Sequence, residues 1–415
     1  GRVVLDGIEL LRAAFYRFES FSLENVAREL LGEGKLLHGG DRGVEITRLF
    51  HEDKTRLADY NLRDCELVSE VFEQTSMLDF AVARTAMTGL NIDRMGGSVA
   101  SFDNLYLPRL HRRGYVAPNA SVEHIASPGG FVLDSQPGIY DHVLVLDFKS
   151  LYPSIIRTFC IDPLGLALGV SGELAESDTV PGYLNARFAR KGHLLPALIE
   201  ELWAQRDLAK ENGDEPLSQA IKIIMNSFYG VLGTTGCRFF DARLASSITR
   251  RGHQILGRTR DRIEESGHRV IYGDTDSVFV WIHEADSDAA AVAAGRELER
   301  ALNAWWRDTI REEFRLETAL ELEFETHYKR FLMPTVRGSD KGSKKRYAGV
   351  VAGSEGERLV FKGLENVRTD WTRLAREFQE ELYRRVFMDE PYEEYVCELT
   401  ARVLAGEEND RLVYR

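Results

Sequence analysis

Two short segments set aspartates at the ends of apolar runs. Leu144-Val145-Leu146-Asp147 reads as a buried strand that delivers Asp147 to its C-terminal end, and Tyr272-Gly273-Asp274-Thr275-Asp276-Ser277 reads as a tight acidic turn between two apolar strands. Singly, each has a plain structural reading: an Asp that ends a strand caps the next turn, and Asp and Gly at a hairpin tip are turn residues. Together Asp147, Asp274 and Asp276 supply three carboxylates, with the i and i+2 pair projecting to one side. Hard divalent cations with oxygen ligands require such a donor set, which suits Mg²⁺ and also Mn²⁺. Two Mg²⁺ ions about 3.5–4 Å apart can stabilise both the attacking and the leaving oxygen of a phosphoryl displacement.

A second set of residues is cationic. Lys222, Asn226 and Tyr229 are spaced by 4 and 7 on one helix face with Gly230 beside them, and the preceding helix offers Arg206 and Lys210 at i,i+4. Arg suits bidentate phosphate contact and Lys serves as a point charge, while Gly230 permits close approach and Tyr229 offers a flat stacking surface. The competing reading is a solvated helix face. Lys344-Lys345-Arg346-Tyr347 closes a basic patch that starts at Arg337, and it reads either as a solvated strand or as a contact to a phosphate backbone. In a strand, Lys345 and Tyr347 share one face and Lys344 and Arg346 the other.

Elements must hold these groups in place. The pattern predicts helical segments over 8–31, 53–72, 195–211, 217–232, 246–266 and 369–387, and another that Asp286-Ser287-Asp288 caps and that reaches Ile310. Strands are expected at 143–147, 269–272, 278–282, 319–326 and 346–351, and a short helix opens near Pro153. The link Asn212 to Pro216 is short enough to make an antiparallel helical hairpin. Gly39 to Gly43 reads as a loop, and the Gly/Pro/Ser-rich stretch Ala117 to Gly130 as the main domain boundary.

The chain has 415 residues, enough for two to four domains, and its 44% hydrophobic and 29% charged content excludes disordered and collagen-like classes. Its net charge of −13 argues weakly against nucleic-acid binding, but binding depends on local patches. The longest unbroken apolar run, Ala289–Ala294, is far shorter than a membrane span of about 18 residues. No basic segment leading into an apolar one opens the chain, and its start at Gly1 suggests a piece of something longer. Four widely separated cysteines point to a reducing compartment. The ten histidines stand at least 13 positions apart, which argues against a His- or Cys-based metal site.

The runs DFKSLYPSII from Asp147, KIIMNSFYG from Lys222, YGDTDS from Tyr272 and KKRY from Lys344 resemble the polymerase motifs of family-B DNA polymerases, in that family's order and spacing. The resemblance implies an α+β right-hand polymerase with palm, fingers and partial thumb, beside part of a ribonuclease-H-like 3′→5′ exonuclease domain. It assigns 1–115 to the exonuclease domain, 116–190 and 234–360 to the palm, 191–233 to a fingers hairpin and 361–415 to the base of the thumb. It implies Asp147 and Asp276, with Asp274, as metal-binding carboxylates for nucleotidyl transfer, and Phe148 as a carbonyl donor to the nucleotide-side metal. Tyr152 would be the steric gate against a 2′-hydroxyl, and Arg206, Lys210, Lys222 and Asn226 would grip the triphosphate. Tyr229 and Gly230 would abut the nascent base pair. Lys344, Lys345, Arg346 and Tyr347 would contact DNA, and one of Glu321, Glu323 and Glu325 would support the metals.

Tyr60-Asn61-Leu62-Arg63-Asp64 fits the family's Y-x-x-x-D editing motif, and a one-turn spacing sets Tyr60 and Asp64 on one helix face. The earlier D-x-E and N-x-x-x-F/Y-D editing motifs do not occur before it, so this stretch is expected to lack exonuclease activity. Ser127-Pro128-Gly129-Gly130 resembles the inter-module Y-x-G-G segment without its Tyr, and much of the thumb is expected to be missing. Primer-template DNA and deoxynucleoside triphosphates are the implied partners, with a sliding clamp for the full-length protein, no membrane, and a bacterial cytoplasmic, nucleoid-associated setting. The alternatives are a DNA-binding remnant without catalysis and a metal-dependent nuclease built on Asp64.

Overall fold

A computed structural model describes residues 2–36, 42–120, 129–336, 338–353, 356–368 and 370–414. The expectations placed on Gly39–Asp41, on Ser127 and Pro128, on Arg337 and on a helix start at Thr369 therefore lie outside the described residues. In chain order the helices and strands are α1 (Gly7–Ala13), α2 (Leu23–Leu31), α3 (Arg42–Glu52), α4 (Lys54–Gln74), α5 (Met77–Thr88), α6 (Ser98–Arg112), β1 (Gly138–Phe148), α7 (Leu151–Thr158), α8 (Pro163–Val170), β2 (Thr179–Pro181) and β3 (Arg187–Ala189). They continue as α9 (Leu195–Glu211), α10 (Glu215–Leu232), α11 (Ala242–Glu265), β4 (Arg269–Asp274), β5 (Ser277–Trp281), α12 (Asp288–Phe314), β6 (Leu322–Met333), β7 (Tyr347–Gly353), β8 (Gly356–Lys362), α13 (Arg373–Phe387) and α14 (Glu393–Ala405).

Helix starts follow the local chemistry. Asp6, Ser22, Asp53, Asp214, Asp241, Ser287 and Thr372 each accept a backbone N–H of the first turn through a side-chain oxygen. The expected helix over 8–31 is two helices, because Phe15 takes a left-handed φ of 64° after α1. Arg42 and Gly43 begin α3 rather than belong to a loop.

The chain divides into two compact units, Gly1–His124 with Leu194–Phe240, and Ile125–His193 with Asp241–Arg415. In the first, α9 and α10 form the antiparallel hairpin. Phe102, Tyr106, Phe228 and Phe239 make an aromatic core, and Arg109 of α6 bonds Glu201 of α9 at 2.6 Å.

The second unit is built on a sheet of order β4-β5-β1-β6-β7-β8 in which every neighbouring pair is antiparallel. Val143, Leu144 and Leu146 of β1 are fully buried, as a central strand requires. Helix α12 approaches the sheet closely at Gly295, where a Cβ would meet Leu144 Cδ1 at 3.0 Å and the Phe324 ring at 3.1 Å. Trp306 of α12 donates its indole N–H to Thr259 of α11 at 3.0 Å. Leu151–Val170 is apolar enough over 20 residues to match a membrane span by length and composition. The fold instead divides it into α7 and α8, and 72% of the apolar window is buried in the protein.

Candidate active site

Register delivers Asp147. Strand β1 pairs with β5 so that Asp147 faces Ser277, and with β6 so that Asp147 faces Glu323. The β4–β5 turn is tight: Thr275 has φ 56°, and Asp276 N–H donates to the Asp274 carbonyl at 2.6 Å. Phe148 N–H donates to the Asp276 carbonyl at 2.9 Å, which pins the end of β1 to this turn. Gly130 packs against the turn from outside, since a Cβ there would meet Thr275 Oγ1 at 2.5 Å, and Thr275 N–H donates to the Phe131 carbonyl at 2.8 Å. The turn thus has hydrogen-bonded neighbours on two sides.

Burial pushes the Asp147 carboxyl up to about 8, and the negative charges of Asp276, Glu325 and Glu323 add to the effect. Burial also raises Asp276, with Asp274 and Glu325 contributing and Lys345 opposing. Asp147 is therefore half-buried, and the charges of Asp276, Glu325 and Glu323 disfavour its ionised form. An all-oxygen donor set in that electrostatic setting fits a hard divalent cation.

Asp274 is oriented differently. Its Oδ1 lies 3.3 Å from Lys345 Nζ and accepts the Thr275 hydroxyl at 3.0 Å, while its Oδ2 accepts the Tyr272 hydroxyl at 3.4 Å. Tyr272 Oη in turn accepts Lys345 N–H at 2.9 Å. The sequence left the choice among Glu321, Glu323 and Glu325 open. Lys149 draws the first two, at 3.2 Å from Glu321 and 3.5 Å from Glu323. Glu325 acts on both Asp147 and Asp276 and stands beside the register shift of β1 against β6.

The basic tetrapeptide separates into different roles. Lys344 and Lys345 are exposed, and Lys345 has a left-handed φ of 63°, so it precedes the strand rather than alternating within it. Arg346 pairs with Glu365, which Gln379 also binds at 2.8 Å. The Tyr347 ring joins Phe279 at 5.1 Å and Phe331 at 5.3 Å in a part-buried aromatic cluster with Tyr272 and Tyr328. Burial among these rings raises the phenol well above its ordinary value. Tyr152, on α7, packs near Gly252 of α11.

In the other unit, Lys222, Asn226 and Gly230 lie exposed on α10 with Tyr229 half-buried beside them. Lys210 of α9 is exposed, and Arg206 is half-buried with its Nε lacking a hydrogen-bond partner. Tyr60 and Asp64 do lie one turn apart on α4, and the structure adds a residue that the sequence did not mark. Lys35 Nζ lies 2.7 Å from Asp64 Oδ2, 3.3 Å from the Tyr60 hydroxyl and 5.5 Å from the Tyr60 ring centre. Asp64 Oδ1 is buried without a partner. No local pattern marks Lys35, which is 29 positions from Asp64.

The family model for DNA polymerase family B matches residues 96–410, and the chain belongs to that family. It is 59% identical over its whole length to DNA polymerase II of Escherichia coli K12, of which it covers 53%. It is 28% identical to a DNA polymerase of Thermococcus gorgonarius over 95% of the chain and half of that protein. It is also 28% identical to the DNA polymerase delta catalytic subunit of Glycine max over 94% of the chain and 37% of the relative. The chain thus spans about half the length of such relatives, or less.

Proposed function

We propose that this chain carries the nucleotidyl-transfer centre of a DNA-directed DNA polymerase: a primer 3′-hydroxyl attacks the α-phosphate of a template-selected deoxynucleoside triphosphate and pyrophosphate leaves. The observation that carries the reading is the pair Asp147 and Asp276, brought together by β1 and the β4–β5 turn and surrounded by further acids. Their oxygens would hold two Mg²⁺ ions, with Mn²⁺ as the alternative, and Phe148 would add its carbonyl. When bound, such ions supply Lewis-acid stabilisation of the oxygens around the reacting phosphorus. The protein's own part is positioning and electrostatics. Glu325 and Glu323 add negative charge beside Asp147, Glu325 also acts on Asp276, and Lys149 pairs with Glu321 and Glu323.

Arg206, Lys210, Lys222 and Asn226 would bind the triphosphate, and their placement on the polar faces of one helical hairpin supports this. Tyr152 would lie under the incoming sugar, and Tyr229 and Gly230 beside the nascent pair. Exposed Lys344 and Lys345 would take primer phosphates, whereas Arg346 and Tyr347 would hold that segment in place through Glu365 and the aromatic cluster. Asp274 would set the position of Lys345 as much as it serves the metals.

On this reading the second unit is the palm with the thumb base, and α9 and α10 are the fingers. Tyr60, Asp64 and Lys35 would belong to an editing site, to which this stretch contributes a single carboxylate. The 415 residues alone are therefore expected not to release 3′-terminal nucleotides. A role in bacterial replication and repair, a cytoplasmic, nucleoid-associated location and a sliding-clamp partner belong to the same proposal for the whole protein.

Single-nucleotide primer extension with Mg²⁺ tests the reading. Templated incorporation that disappears in Asp276→Asn is the expected result. Failure of the wild-type chain to extend a primer that it binds would identify a DNA-binding remnant instead.

A further inference from the structure

Strand pairing brings together two histidines that lie 185 positions apart in the chain. His142 of β1 and His327 of β6 stack with ring centres 5.4 Å apart and an interplanar angle of 17°, and Nδ1 of His142 lies 3.2 Å from Nε2 of His327. Asp288, the first residue of α12, sets its Oδ1 3.6 Å from the same Nδ1. Lys329 holds the other carboxylate oxygen at 2.8 Å and also binds Glu357 at 2.9 Å, so Oδ1 is left facing the imidazoles. Among the described residues this is the one group of three or more His, Cys, Asp or Glu whose ligand atoms all lie within 4.8 Å of one another.

We propose that His142, His327 and Asp288 form a Zn²⁺ site separate from the nucleotidyl-transfer centre. Tetrahedral Zn²⁺ with ligands at about 2.0–2.1 Å places neighbouring ligand atoms about 3.4 Å apart. The observed 3.2 and 3.6 Å bracket that edge, and water would complete the fourth position. A hydrogen bond between the two imidazoles is the simpler arrangement, but it leaves Asp288 Oδ1, 3.6 Å from His142 Nδ1, outside the bond. A metal uses all three groups.

Two imidazoles and a carboxylate suit Zn²⁺ over Mg²⁺. The site lies five residues back along β1 from Asp147, about 17 Å at 3.3 Å per residue. It ties the start of α12 to the two central strands, so its work is to clamp that helix to the sheet.

The test uses the chain in an Asp147→Asn, Asp276→Asn background, which removes the acidic centre as a competitor. Metal-stripped protein is titrated with Co²⁺ followed by visible absorption, then with Zn²⁺. One tetrahedral Co²⁺ per chain, displaced by Zn²⁺ and accompanied by a higher melting temperature, is expected. His327→Asn and Asp288→Asn should each weaken binding by at least about 10-fold, the lower end of what even an outer-shell partner contributes. Circular dichroism shows whether each variant is folded, and His142→Gln replaces any that is not. Absence of a tetrahedral Co²⁺ spectrum, or binding undiminished in either folded variant, overturns the proposal.

Discussion

Replacing Asp147 by Asn should abolish primer extension and at the same time stabilise the metal-free protein at high pH. The folded carboxyl is held at about 8, against an ordinary value of 3.8 in the unfolded chain. A group raised in the folded state stabilises the fold below its unfolded value and loses that contribution as pH climbs to the folded value. Stability of the metal-free wild type should therefore fall between about pH 4 and pH 8 and level off above. At full burial the difference amounts to about 6 kcal/mol, and discounting for the water that reaches this half-buried side chain leaves about 2–3 kcal/mol. Asn cannot ionise, so the variant should lose this part of the decline and keep the part that Asp276 causes.

Urea unfolding followed by tryptophan fluorescence is a suitable assay, because Trp281, Trp305, Trp306 and Trp371 all lie in the unit that carries Asp147. With EDTA present, the variant should match the wild type near pH 5 and exceed it near pH 9 by about 2 kcal/mol. Excess Mg²⁺ should stabilise the wild type and leave the variant almost unmoved. Equal stability differences at both pH values, or a variant less stable than wild type at the higher pH, would refute the electrostatic reasoning.

Lys222→Ala would remove the proposed charge-assisted phosphate contact, worth about 2–3 kcal/mol, so kcat/KM for the nucleotide should drop by about 30- to 150-fold in steady-state extension. Gly130→Ala would push a methyl group against Thr275 and displace the turn between Asp274 and Asp276, so extension should slow by more than about 10-fold, and a crystal structure of the variant should show the turn shifted. Thr259→Val leaves the Trp306 indole N–H buried without its acceptor, which should cost about 1–3 kcal/mol in urea unfolding without changing nucleotide KM.

What the sequence determined alone is local. Apolar runs that end in Asp147 and flank Asp274-Thr275-Asp276 predict strand ends and a tight turn, and β1, β4 and β5 occupy those places. The hairpin of α9 and α10 and the start of α12 after Ser287 were legible because capping and short links are short-range effects. Other elements carry no such pattern: α6 contains Pro108, and β8 opens on Gly356 and stops before the left-handed Gly363.

Tertiary structure decided which groups act on one another. Period-two alternation places Glu321, Glu323 and Glu325 on one face alike, and the pairing of β1 with β6 sets Glu323 opposite Asp147 while Lys149 reaches Glu321 and Glu323 and Glu325 acts on both Asp147 and Asp276. Arg346 and Tyr347 look equivalent to Lys344 and Lys345 along the chain, yet Glu365 and three aromatic strands turn the first two inward. Lys35 reaches Asp64 across 29 residues and His142 reaches His327 across 185, distances at which spacing carries no information. Side-chain period and capping are set by neighbours within a few bonds, whereas charge fields and ligand sets are set by whichever strands and helices the folded chain makes adjacent.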